Sequence, residues 1–156
     1  YSLEEDKLIE LEANHFAGCL LMPQNQFKLA CYRKPMSVGL VQELAGLFGT
    51  SLLATAIRFP EAGTFPTLVT CFKDKKLSGF QRSSDFPYKG FKTRIGGPPP
   101  TGTALAKPRR LGHNETSSIE EVDENTWFSF ERGDIRLFEQ CFGSSYGYEV
   151  SIVWVA

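Results

Sequence analysis

The hydrophobic period of this chain changes at Pro60, and that change limits the fold to two kinds of element laid end to end. Before it, Leu8, Leu11, Ala13, Phe16, Ala17, Leu20 and Leu21 recur at three- and four-residue steps and define a helix over 3–21. Glu4, Glu5, Asp6 and Lys7 open it, and acidic side chains in a first turn suit the positive end of the helix dipole. Pro23 stops the run, residues 24–32 allow one more short helix, and Lys34-Pro35 breaks the chain again. Ser37 is the expected N-cap of a helix over 38–48, whose Val41, Leu44, Ala45 and Phe48 share a face. Gly49-Thr50 turns the chain, and Ser51 caps a further helix, LLATAIRF, ending at Phe59. Ala45, Gly49 and Ser51 have the spacing of a helix-turn-helix.

After Pro60 the pattern is that of strands. TLVTCF (67–72) and LSGFQR (77–82) flank Lys73-Asp74-Lys75-Lys76 as a β-hairpin. Gly96-Gly97-Pro98-Pro99-Pro100 breaks a long loop region. TWFSF (126–130), IRLFEQCF (135–142) and YEVSIVWVA (148–156) are three more expected strands, joined through 131–134 and 143–147. In the last, Val150, Ile152 and Trp154 alternate with smaller residues, as in a half-buried strand. The acidic stretch 115–124 and the basic stretch 107–110 read as solvated loops. The expected class is α+β, with N-terminal helices over 1–35, a helix-turn-helix-like link over 36–60 and a β-rich part over 61–156. Thirteen Phe and two Trp, mostly after residue 59, let that last part build its own core.

Length alone, 156 residues, fits one domain or two small ones. With 17 basic and 18 acidic residues, the chain lacks the cationic surplus that phosphate neutralisation requires, so nucleic acid is not an expected partner. The helix-turn-helix adds little to that case. Its reading positions hold Leu52, Leu53 and Ala54, with Thr55 next, and Arg58 comes only near the end. No apolar run reaches membrane-spanning length, and the acidic opening YSLEEDK is not a signal peptide. Cys19, Cys31, Cys71 and Cys141 contain no C-x-x-C pair and lie far from a second histidine, which excludes a finger-type zinc site. Cys19, Cys71 and Cys141 sit in apolar runs, and reduced, buried thiols of a cytoplasmic protein are expected.

The stretch richest in chemistry is ELEANHFAGCLLMP, Glu10 to Pro23. Glu10 and Asn14 are four apart and share a helix face, which suits a carboxylate ligand with an orienting amide. Glu12 lies about 200° around the helix from Glu10, so the two carboxylates do not converge on one ion. On spacing alone, an amphipathic helix with solvated glutamates has the same pattern. His15 points about 140° away from Glu10 and is not an expected ligand. His113, in a Gly-Asn-flanked loop, is expected to be exposed.

These fourteen positions resemble the segment E-x-x-A-N-x-F-A-x-x-L-L-M-P that closes the zinc site of the ImmA/IrrE family of metallopeptidases, with Gly18 and Cys19 at variable positions. The resemblance extends through 41–59 and 65–86, roughly the first half of the chain. It implies the end of a zincin-like peptidase domain followed by a β-rich, GAF-like sensor or interaction domain. It makes Glu10 the third zinc ligand (Glu12 the fallback), Asn14 its helical neighbour, and Phe16, Ala17, Leu20, Leu21 and Met22 packing residues. The implied substrate is a helix-turn-helix repressor, and the implied ligand of the β-rich part is a small molecule or a protein. The family's H-E-x-x-H motif occurs nowhere in the 156 residues. By the resemblance it lies N-terminal to this helix, so the chain is expected to be a C-terminal portion, inactive and zinc-free by itself, with zinc held by the intact protein. A non-enzymatic regulatory or protein-interaction module on the same scaffold is the alternative expectation, and a DNA-binding regulator using the 38–59 helix pair is a second.

Overall fold

The computed structural model describes residues 3–129 and 135–156, with side chains from Glu10 onward, Leu11 excepted. Tyr1, the side chains of Leu8 and Leu11, Phe130 and the expected link 131–134 lie outside the described residues. Four helices come first: α1 (Leu3–Leu21), α2 (Gln24–Cys31), α3 (Val38–Phe48) and α4 (Leu52–Ala62). The strands are β1 (Thr67–Lys73), β2 (Lys76–Arg82), β3 (Glu120–Val122), β4 (Leu137–Gly143) and β5 (Tyr148–Val155), with a short helix α5 (Glu124–Trp127) before β4. They form one antiparallel sheet in the order β2-β1-β5-β4-β3. The α+β expectation is met at this level.

The helix ends follow from the sequence. Ser37 accepts from the Leu40 N–H and Ser51 from the Ala54 N–H, each satisfying a first-turn donor. Gly49 ends α3 in the left-handed region at φ 64°, where a side chain is disfavoured, and α4 leaves at 103° to α3. Among the described residues no single helix is long and apolar enough to cross a membrane. In contrast to the expected stop at Phe59, α4 continues through Pro60 to Ala62. Proline removes one intrahelical bond, but Phe59, Pro60 and Ala62 are all buried, and the Gly63 N–H caps the Phe59 carbonyl at 2.7 Å.

The sheet is covered on both faces. On one, Phe27, Val41, Leu44, Ala56 and Phe59 of α2–α4 share a core with Val69, Phe142, Val150 and Ile152. The helix pair at 36–60, expected as a link, is therefore also the cover of the sheet, because its apolar faces are buried there. On the other face, Phe86, Tyr88, Leu105, Trp127 and Phe128 of the long connection pack on Leu68, Phe72, Leu137 and Val153. Tyr88 stacks on Phe128 and Phe91 on Trp127, with ring centroids 4.9 and 5.7 Å apart. With both faces covered, β5 is buried throughout its middle, not half-buried as its alternation suggests. It is the central strand.

Two further expectations are corrected. Residues 124–127 form α5 rather than a strand: Asp123 caps it by accepting from the Asn125 N–H at 2.8 Å. Trp127 and Phe128 are consecutive and both buried, a pairing that one-faced strand alternation does not provide. The acidic stretch is not all loop, since Glu120–Val122 pairs with β4 as an edge strand. Arg136 grips Glu121 there through two contacts of 3.0 and 2.8 Å, and a charged edge resists pairing with another chain.

Candidate functional site

The α1 helix presents two opposite faces. With about 100° per residue, Gly18, Met22, His15 and Cys19 fall on one side, and Glu10, Asn14, Ala13, Ala17, Leu20, Leu21 and Phe16 on the other. The first side meets α4. Met22 is buried, and the Gly18 position is open enough that a Cβ there would lie 4.0 Å from the Arg58 Cδ. Arg58 is buried and joins the two helices: Nε and Nη2 approach the Met22 carbonyl at 3.4 Å, and Nη1 donates to Glu61 Oε2 at 2.5 Å. A guanidinium committed in this way is not presented to a base edge. Leu52 and Leu53, in the first turn of α4, pack against the helical core.

The second side of α1 is uncovered. Phe16 is 68% exposed, Leu20 66% and Leu21 55%, so of the residues implied to pack only Met22 is buried. Glu10, Glu12 and Asn14 are all exposed. Glu10 and Asn14 share this face, whereas Glu12 lies beyond its edge.

At the α1–α4 junction the fold assembles a group that spacing did not identify. His15 Nε2 lies 3.6 Å from Cys19 Sγ, and His15 Nδ1 lies 3.7 Å from Glu61 Oε2. The three potential ligand atoms fall within 4.8 Å of one another. The legible signal was the four-residue step from His15 to Cys19, which puts both on one face. Glu61 was hidden because it follows Pro60, where the helix was expected to have ended. It also forms part of the wall of a cleft of about 400 Å³, with Gln24, Lys28, Thr64, Ser83 and Asp85 among its other polar residues.

The remaining thiols are not equipped for nucleophilic chemistry. Cys31, outside the apolar runs, is buried, whereas Cys19 inside one is only half-buried. Burial pushes the Cys31 thiol up to about 11, Cys71 to about 12 and Cys141 well above its usual range, so each stays protonated near neutrality. All four cysteines are free. His113 is exposed, with its backbone bridged to Gly143.

Two carboxylates are buried on the sheet. Glu139 accepts from Ser151 Oγ, and burial raises its carboxyl to about 6. Glu149 accepts from Lys75 Nζ at 2.9 Å and from the Leu111 N–H at 3.1 Å, tying the hairpin turn to the long connection. Neither borders the cleft beside Glu61. No family model matches the chain, and no curated protein matches it.

Proposed function

We propose that these residues are the C-terminal portion of a cytoplasmic zinc metallopeptidase resembling the ImmA/IrrE family, whose intact form cleaves a helix-turn-helix repressor. The uncovered apolar stripe of α1 carries this reading. Ala13, Phe16, Ala17, Leu20 and Leu21 span an arc of about 140° that contains Glu10, with Asn14 about 20° past its edge. Exposed apolar area of that kind marks a docking face, and here a carboxylate lies inside it. A peptidase body seated on the stripe brings its histidines to Glu10.

Glu10 fits the group as one ligand only. A catalytic zinc takes three protein ligands and keeps a position for water, so two histidines of an H-E-x-x-H helix must come from outside these residues. When bound, zinc supplies carbonyl polarisation and an activated water. Glu10 contributes one negative charge and one oxygen, and Asn14, one turn on, orients it. Glu12, beyond the edge of the stripe, is placed for solvent. Residues 61–156 regulate the peptidase in this reading, as a GAF-like sensor domain or a protein-binding domain. The cleft beside Glu61 suits the alternative, a regulatory module without peptidase activity.

The test is made on the intact protein. Glu10→Gln is expected to abolish peptide-bond cleavage and binding of the catalytic zinc, with Glu12→Gln retaining both. Full activity in Glu10→Gln, or a coding frame with no H-E-x-x-H helix upstream, overturns the peptidase reading and leaves the regulatory one.

A further inference from the structure

We propose that His15, Cys19 and Glu61 form a three-ligand site for a zinc-class divalent cation that clamps α1 to α4, separate from any metal held by Glu10. The donor set is one imidazole nitrogen, one thiolate and one carboxylate, the combination that zinc accepts. The spacing also fits. Tetrahedral zinc, with Zn–N near 2.0–2.1 Å and Zn–S near 2.3 Å, holds its nitrogen and sulfur about 3.5 Å apart. His15 Nε2 and Cys19 Sγ are 3.6 Å apart, a separation set by one turn of α1. One helix thus supplies two ligands already at coordination distance.

The third ligand comes from the partner helix. Glu61 Oε2 rests against His15 Nδ1 at 3.7 Å, one ring carbon away from the Nε2 that faces Cys19. One imidazole gives one nitrogen to one ion, so metal binding moves the Glu61 carboxylate around the ring to the Nε2 side. That side chain is 45% exposed and has room to turn. Arg58 limits how far it goes. Its guanidinium is buried, contacts the Met22 carbonyl near the end of α1 and donates to the Glu61 carboxylate, so one residue fixes the helix and steers the ligand. An outer-shell donor to a ligating carboxylate is the usual partner in such sites. Thiolate and carboxylate bring two negative charges to offset the cation beside Arg58. Binding expels the Cys19 thiol proton to solvent. The fourth position is left to water or to a group entering from the cleft, whose wall Glu61 helps form.

His15 and Cys19 lie about 140° and 180° around α1 from Glu10, so the two metal readings use opposite faces. This proposal does not depend on the peptidase reading. Its test is titration of the 156-residue chain with Co²⁺ and Zn²⁺ under reducing conditions. Stoichiometric binding is expected, with a thiolate-to-cobalt charge-transfer band that Zn²⁺ displaces and a raised Tm from the α1–α4 clamp. Cys19→Ser should lose the band. His15→Gln and Glu61→Gln should weaken binding by at least ~100-fold, the upper end of what outer-shell partners are worth. Glu10→Gln and Glu12→Gln should bind like the unaltered chain. His15 is 61% exposed, so its variant keeps the fold, and far-ultraviolet circular dichroism checks the others. Absence of the band, its survival in Cys19→Ser, or its loss in Glu10→Gln overturns the site.

Discussion

Ser151 Oγ donates a hydrogen bond to Glu139 Oε1 at 2.5 Å, joining adjacent strands at a point where one side chain is fully buried and the other 3% exposed. That bond favours the carboxylate, but desolvation is larger and raises the carboxyl to about 6 from its ordinary 4.5.

Stability should therefore depend on pH through Glu139. A raised folded-state pKa means that the folded chain holds this proton more tightly than the unfolded chain. The contribution is fully present below about pH 4.5 and is lost as pH rises through about 6. The difference corresponds to about 2 kcal/mol. Glu139→Gln, which cannot ionise, should be more stable than the unaltered chain at pH 7, with the gap closing in acid. Urea midpoints measured across this range check it, and parallel curves for the two proteins would refute it.

The Lys75–Glu149 pair should matter in the opposite sense. Glu149 is 2% exposed, and Lys75 Nζ also donates to the Leu105 carbonyl at 2.9 Å. Lys75→Met leaves a buried carboxylate without its cation and should cost about 3–5 kcal/mol. Adding Glu149→Gln should recover part of that loss, because the uncompensated charge is gone. A double-mutant cycle by chemical denaturation gives the coupling, and strictly additive losses would count against the pair.

Two phenylalanines separate core from surface. Phe59 is fully buried and meets Phe27 edge-on at 5.7 Å, so Phe59→Ala should cost about 3–5 kcal/mol. Phe16 is 68% exposed, and Phe16→Ala should stay within about 0.5 kcal/mol in the 156-residue chain. A large loss at Phe16 would mean that the α1 stripe is already covered in this chain.

The helices were legible because their punctuation is local. Ser37 and Ser51 each stand three residues before the donor they cap, and Pro23 and Pro35 break the chain where they stand. The hairpin was legible for the same reason: Lys73 pairs with Lys76, leaving Asp74 and Lys75, both at positive φ, as a two-residue turn. The errors came where distant chain decides the outcome. Glu120–Val122 looked like loop because its charges are those of a sheet edge, and an edge is defined by its neighbour. Trp127 belongs to a helical turn because Phe91 and Phe72 lie beside it. Cys31 lacks an apolar sequence context yet is 1% exposed, since α3, α4 and the sheet close over α2. In the candidate site, the His15–Cys19 step was local, whereas Glu61 reaches it only through the packing of α4 on α1.

The central place of β5 has a consequence for the order in which the chain matures. Thr67 waits for Trp154, and Leu137 for Val155, so neither β1 nor β4 gains its inner neighbour until residues 148–155 have been synthesised. Until then the nascent chain carries helices and a hairpin with one β1 edge open, a state exposed to misassociation. Closing loops this long is slow relative to forming the local turns. Translation rate near the codons for β4 and β5, and chaperones that shield the β1 edge, should therefore influence the yield of native protein.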